Sequence, residues 1–600
     1  MSNTVLQDGF AVIVDQWQIV FGILILLILS QAMLGLVLRQ IFGRQLTSNE
    51  YLALSLAGWI LPAALISMLW IFIGSPSAGR FNLLILTGVL LAVLFLMRFK
   101  TDPEPVSKPI ALFLLLFLLV SILLRLAFVS RAVLPSYFDS AQHYQLIKSL
   151  LAYGSAIIFT LQASYYHLGF HILTAFVVSM LNAEIARTML VLGQIILAAM
   201  PISVFFPVSH LTKSNWAAIF AVVVSAWGWY MPAHAVDWGK YPALTSIGLI
   251  PFVLSLAHLF VEHKDALSAR KRWALAGLIV LGSFITVIIH SRSLFILGIA
   301  SLAWIIAVWW QRRPRRQRLI LFFIMVTAIV TELFLIQKQD VLTLLLDPYS
   351  NQGLWITSLT LFLALFAWKD NPLPASMSLL AISFILGSVF IPVPDLIPGY
   401  RHVTVLDRPF VEMFLYLPLS LLGGLGLAGV ENFLQQSRVK LYYRNGLVSI
   451  PVIGLVLVNA FATYDVYPST CCVIAGSQDV TAITWMDNQL PKNAQIGIAT
   501  TELKVLASGI FEGNVGSDAG IWITPLINRP TRPLAYESDF EQQGTLDLLC
   551  QMGISHLYIG ELGHTFNNAQ LENHPEWYRS LSSMPAVKVY QVIGCNGNQG

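Results

Sequence analysis

The sequence predicts an α-helical polytopic membrane protein of about 14–16 transmembrane helices with a C-terminal extracytoplasmic α/β domain. Three observations carry that expectation. Of 600 residues, 56% are hydrophobic and 11% charged, with a mean hydropathy of +0.72, where a soluble domain carries about a quarter charged residues. Uncharged runs near the ~20 residues needed to span hydrocarbon recur as far as residue 464. Beyond Asp465 no run is long and apolar enough, and short helix-like and strand-like pieces alternate. The net charge of +4 and pI of about 8.7 sit in short loops, which fits membrane orientation and gives no support to nucleic-acid binding.

In order along the chain, fifteen apolar runs read as spans: 17–38, 51–73, 81–97, 109–129, 166–182, 188–208, 215–235, 241–261, 273–289, 293–310, 319–336, 353–368, 374–391, 409–430 and 446–464. Helices are the only reading, because an open sheet cannot satisfy its backbone in lipid. Residues 1–108 hold additional N-terminal helices, 109–464 a transmembrane core, and 465–600 the soluble domain. In that domain Ala482–Leu490 and Thr545–Met552 read as helices, the second stopped by Gly553. Gln495–Thr500, Ser555–Gly560 and Val587–Val592 read as strands.

Arg312, Arg313, Arg315, Arg316 and Arg318 fall in one short loop, which the bias of basic residues assigns to the cytoplasm. Counting hairpins from there puts His290–Arg292, the 391–408 loop and the C-terminal domain outside. Arg39, Arg44, Arg98, Lys100 and Lys108 put the N-terminus and the 130–165 loop outside as well. An odd number of spans cannot do both, so between 140 and 214 either one candidate does not cross or an amphipathic stretch re-enters, the two places being Tyr144–Thr160 and the short span 166–182.

Four constellations then share the outer face. Tyr137-Phe138-Asp139-Ser140 is followed by His143, then by His167 and His171. An acid beside histidines serves as a general base or, equally, as a helix N-cap. Asp237 and Lys240 sit in a Trp- and Tyr-rich turn that also reads as an interfacial belt, and His290 and Arg292 occupy a tight hairpin. Arg401, His402 and Arg408 offer guanidinium groups for a phosphate or for lipid headgroups. Acid, histidine and arginine converging on one face make a candidate site. His167 and His171 are an i, i+4 pair with no third ligand fixed by spacing, so no metal ligand set is assigned and a divalent cofactor stays open.

The order of these words, an outer acidic motif, then "YYHLGFH", "WGKYPAL" and "HSRS", resembles the GT-C type of integral-membrane glycosyltransferases, in particular bacterial members with an external C-terminal domain. The resemblance covers residues 109–465. It implies a polyprenyl-phosphate-linked sugar donor, inverting transfer to a glycan, lipid or protein acceptor, and Asp139 in the place of the catalytic aspartate. His143 is the second catalytic candidate. His167, His171, Asp237, Lys240, His290, Arg292, Arg401, His402 and Arg408 are candidates for donor or acceptor contacts. Ser140 departs from the paired-acid version of the motif, and the first three spans have no counterpart in the minimal core. The alternative class is a lipid-linked saccharide transporter or flippase, or an envelope scaffold. A transporter should carry charged or broken helices in repeated halves, whereas only Arg125, Glu332 and Glu412 fall within spans.

Cys471, Cys472, Cys550 and Cys595 all lie in the last domain. An even number fits an oxidising exterior and two disulfides. Because bonding of neighbours strains the intervening peptide, Cys471 and Cys472 are each expected to reach a separate distant partner. A zinc site competes, but adjacent cysteines lack the spacing of a knuckle.

Overall fold

The computed structural model describes residues 3–73, 87–88, 91, 107–160, 167–351, 353–393, 404–436, 448–505, 510–582 and 584–597. The expected span at 81–97 lies almost wholly outside them, and Arg401 and His402 lie outside them entirely. Among the described residues nine helices are long and apolar enough to cross a membrane, and Ser48–Ala57 with Ile60–Phe72, bent by 47° at their break, makes up to ten. The chain is a multi-pass membrane protein on that ground.

The expected spans at 166–182, 215–235 and 446–464 are helices of 13, 13 and 15 residues. At 1.5 Å per residue they reach about 20–23 Å, short of the ~30 Å of hydrocarbon. Hydropathy counts apolar residues and misses where caps cut the helix: Ser214 accepts from the Ala217 N–H at one end of Asn215–Trp227, and Gly228 closes the other. Both candidates for the non-crossing segment fall in this class. Gly169–Leu181 is one, and Phe138–Tyr153, the amphipathic helix of 16 residues, is the other.

The apolar stretch of Ile185–Thr212 is wholly buried at the centre of the bundle, while that of Arg315–Gln337 is little covered at its edge. In lipid there is little hydrophobic drive between helices, so close packing by small residues does more. A Cβ on Gly426 would stand 2.2 Å from the Leu363 carbonyl oxygen, so glycine is what allows the helix Tyr416–Gln436 to lie directly on Leu354–Asp370.

The α/β domain carries six strands, β1 Ile496–Val505, β2 Ile510–Gly516, β3 Thr531–Ala535, β4 His556–Ile559, β5 Tyr578–Ser580 and β6 Lys588–Val592, in the order β2-β1-β4-β6-β5. β3 runs parallel to β1 over 496–500, and β2 runs antiparallel to it over 500–505. Helices Ser477–Gln489 and Gln543–Gln551 match the two expected, and Gly553 turns the chain after the second with φ +67°. The domain rests on Phe138–Tyr153: Lys148 Nζ donates to the Pro525 carbonyl at 2.7 Å and to Asn528 Oδ1 at 2.9 Å, and Trp522 meets Tyr144 edge-on at 5.7 Å. The turn Ala519–Trp522 thus sits over this helix.

Two disulfides form, as expected, but their pairing corrects the expectation. Cys471 bonds to Cys472, and Cys550 to Cys595. The physical reason is separation: Cys472 is tied through its carbonyl to Tyr137 in the linker, whereas Cys550 and Cys595 belong to the apolar layer of Leu546, Leu549 and Trp577 inside the domain.

Candidate active site

Four helices begin at one place. Asp139 is in the first turn of Phe138–Tyr153, Lys240 caps Tyr241–His263, Arg292 caps Ser293–Gln311, and Asp407 caps the helix that opens with Arg408. Asp407 accepts from the Phe410 N–H at 3.2 Å, and Pro242 and Pro409 sit in the first turns, where a missing N–H costs nothing. Helix N-termini carry unpaired N–H groups and partial positive charge, so their convergence favours an anion.

Lys240 Nζ donates to Asp139 Oδ2, and Arg292 Nη1 to Asp407 Oδ2. Arg408 Nε stands 3.1 Å from Glu412 Oε1, an ion pair by distance whose angles do not make a hydrogen bond. Arg408 Nη1 and Arg292 Nε are buried with no hydrogen-bond partner among the described residues. Burial by itself would lower Lys240, but the charge and hydrogen bond of Asp139, with Asp407, outweigh it and raise the ammonium above its ordinary value.

Behind this ion-paired layer lies a histidine layer. His143 Nε2 is 3.1 Å from the Gly239 carbonyl, which can only accept, so this nitrogen carries the proton. His143 Nδ1 then accepts from His171 Nε2 at 2.9 Å. His167 and His290 pack with ring centroids 4.2 Å apart, and Phe410 covers His290 at 5.0 Å. Burial, then neighbouring positive charge, lowers His143 and His167 to about 3, and burial holds His290 well below the ordinary value. These rings are neutral at pH 7.

Glycine at position 239 is what lets the two halves touch. It has φ +65°, and a Cβ there would stand 2.5 Å from Ser140 Oγ and 3.2 Å from the Ser140 nitrogen. Tyr137, immediately before the Phe138–Tyr153 helix, has φ 68° and ψ 160°, a conformation that costs a non-glycine residue about 1–3 kcal/mol.

Of the residues singled out from the sequence, the fold brings together Asp139, His143, His167, His171, Lys240, His290, Arg292 and Arg408. Asp237 is not among them. Its Oδ2 is 2.7 Å from His234 Nδ1 and its Oδ1 accepts from the Ser469 N–H at 3.0 Å, so it fastens the linker of the α/β domain. Asp407 and Gly239, which stand in the same short loops as Arg408 and Lys240, and Glu412, which reads from the sequence only as a charge within a span, belong to the site as well. Their signal lies in the sequence, since each adjoins a chosen residue on its own turn, but pairing across elements is invisible there. Below the charged layer, along Ser293–Gln311 and the helix from Arg408, runs a cavity of about 250 Å3. Its wall is apolar apart from a few serines and His210 and His258. It begins at Ile296 and Phe414, one to two turns from Arg292 and Arg408.

Among the described residues two groups bring metal-ligand atoms within 4.8 Å of one another: His234 with Cys471 and Cys472, and His210 with His258 and Glu262. The first offers no thiolate while its disulfide is closed. In the second, His210 already bridges Glu50 and Glu262 at 2.7 and 2.8 Å.

Fold and site together define a multi-pass helical membrane protein with a polar site at helix ends, capped by an α/β domain. The chain belongs to the family described as a family of unknown function, DUF6541, whose model matches residues 17–389. That match contains Asp139, Lys240 and Arg292 and ends before Asp407 and the α/β domain. No curated protein matches the chain. Among solved structures the chain is similar to the single-particle cryo-EM structure of the arabinofuranosyltransferase AftD from Mycobacteria, at 14% identity and a TM-score of 0.48, over 82% of this chain and 42% of that one. It therefore spans about two fifths of that protein's length.

Proposed function

We propose that this chain is a membrane glycosyltransferase that moves a sugar from a polyprenyl-phosphate donor to an acceptor on the extracytoplasmic side of the cell membrane, with inversion. The observation that carries the reading is the meeting of four helix N-termini with Lys240, Arg292 and Arg408 above an apolar cavity lined by three of the same helices. A phosphate suits the upper part and a hydrocarbon chain the lower.

In this reading the acceptor oxygen attacks the anomeric carbon from the face opposite the phosphate. Asp139 takes the hydroxyl proton as the new C–O bond forms, and the bond to the phosphate oxygen breaks. One displacement inverts the centre. Charge gathering on the departing phosphate is met by Arg292, Arg408 and the helix ends, fixed in place before the reaction. Lys240, which donates to Asp139 Oδ2, orients its carboxylate. His143, with both ring nitrogens engaged, positions the Gly239–Lys240 turn, backed by His171. His167 and His290 wall the site, and Arg401 and His402, which lie outside the described residues, are proposed as further donor contacts.

The test is reconstitution of the full chain in lipid with radiolabelled polyprenyl-phosphate sugars and mixed envelope acceptors. Release of polyprenyl phosphate coupled to acceptor labelling is expected. Passage of intact donor across the bilayer without cleavage would replace the enzyme reading by a flippase.

A further inference from the structure

A guanidinium withdrawn from water needs a counter-charge or a full set of acceptors, because burying a cation costs far more than burying a neutral donor. Arg125 lies inside the span Lys108–Arg131 and is 4% exposed. Both of its hydrogen-bond acceptors are neutral: Nε donates to Gln194 Oε1 at 3.0 Å and Nη1 to the Tyr464 hydroxyl at 3.2 Å. Among the described residues no carboxylate comes within ion-pair distance of it. Asp237, whose charge acts with that of Arg125 on Tyr464, has both oxygens committed to His234 and Ser469.

Beside the guanidinium is a cavity of about 10 Å3 whose wall includes Arg125, Ser121, Ser225 and Tyr464. That is room for one small species. The Oγ atoms of Ser121 and Ser225 and the Nε2 of Gln194 are all buried with no hydrogen-bond partner among the described residues. Native interiors leave few such groups, and a cluster of them marks a water or an ion. Here the cluster is rich in donors and carries positive charge. A water molecule would satisfy some donors, add two protons of its own and leave the charge uncompensated. An anion accepts from all of them and neutralises the arginine.

We propose that this cavity binds a single small monovalent anion of the halide kind, held by Arg125, Ser121 and Ser225, with Gln194 fixing the guanidinium beside it, between the helices Lys108–Arg131, Ile185–Thr212 and Asn215–Trp227. Tyr464 caps Ser449–Thr463, the last apolar helix before the α/β domain, so the anion ties that helix to the bundle. The inference is independent of the proposed transferase activity.

The experiment melts the full-length protein in nanodiscs at constant ionic strength, titrating sodium chloride or bromide against sodium gluconate. A saturable rise in the midpoint is expected with either halide. Ser225→Ala, which removes one hydrogen bond to a charged ligand, should raise the half-saturating concentration about tenfold, and Arg125→Gln should abolish the dependence. Should Arg125→Gln fail to fold, Ser121→Ala and Ser225→Ala still decide the matter. A crystal grown in bromide should give an anomalous peak at the cavity. A midpoint indifferent to the anion, a halide response unchanged by both serine variants, or no anomalous signal beside Arg125 would overturn the proposal.

Discussion

The backbone N–H of Tyr137 donates to the carbonyl of Cys472 at 3.0 Å, so the loop that carries Asp139 is fastened to the linker of the α/β domain. The strained backbone at Tyr137 persists because this bond and the packing of its ring against Phe138, with centroids 4.3 Å apart and planes tilted by 35°, determine it from both sides. With Lys148 bonded to Pro525, the linker and the domain hold the helix on which the acid stands at its start and along its body.

The contact between Gly239 and Ser140 gives the first prediction. Gly239→Ala adds a methyl where backbone and hydroxyl already fill the space and forces a left-handed conformation on a residue with a Cβ. Loss of about 1–3 kcal/mol and separation of Lys240 from Asp139 are expected. Gly454→Ala, at a position where a Cβ meets nothing within 4 Å, is the control and should melt like the wild type. Thermal melts of the two variants side by side check this, with equal midpoints as the contrary result.

Arg408→Lys keeps the charge opposite buried Glu412 but gives up the planar fork. A charge-assisted hydrogen bond is worth about 1.5–3 kcal/mol, so KM for a phosphate-bearing donor should rise by roughly 10- to 100-fold. Initial rates against donor concentration measure it. An unchanged KM would take Arg408 away from the donor.

The histidine layer sets an acid limit. In the unfolded chain His143 and His167 take up protons near 6.5, and in the folded chain only near 3. Between those values the unfolded state holds more protons. The stability these residues contribute is therefore complete above pH 6.5 and is lost as pH falls towards 3, by about 1.4 kcal/mol per unit for each histidine. His167→Asn should flatten the decline of the melting midpoint between pH 7 and 5, and an unchanged slope would count against buried neutral rings.

Non-reducing peptide mapping should recover Cys471 and Cys472 within one peptide and Cys550 joined to Cys595. The second bond, across a sequence separation of 45, should contribute about 4 kcal/mol to the domain in the chain-entropy model. Cys550→Ser should lower the domain's melting point accordingly, while four free thiols would contradict both bonds.

The membrane class and the position of the α/β domain were legible because composition and run length are local properties of the chain. So was the convergence of Asp139, Lys240, Arg292 and Arg408, since alternating loops put them on one face. What escaped was set by contact between distant segments. Asp237 reads like its neighbour Lys240, yet Ser469 and His234 claim it. The adjacent cysteines bond to each other because the fold carries Cys550 and Cys595 into a different layer. The short helices at Gly169, Asn215 and Ser449 read as spans because hydropathy counts apolar residues and not helix ends; at Asn215 the start is set by the Ser214 cap.

The most direct measurement is sugar transfer by Asp139→Asn. Asparagine keeps the size and can still pack beside Lys240, while the oxygen that accepts the proton is gone. The purified variant should melt near the wild type and transfer from polyprenyl-phosphate sugars at a rate lower by about 100-fold or more. Transfer at the wild-type rate would contradict the account.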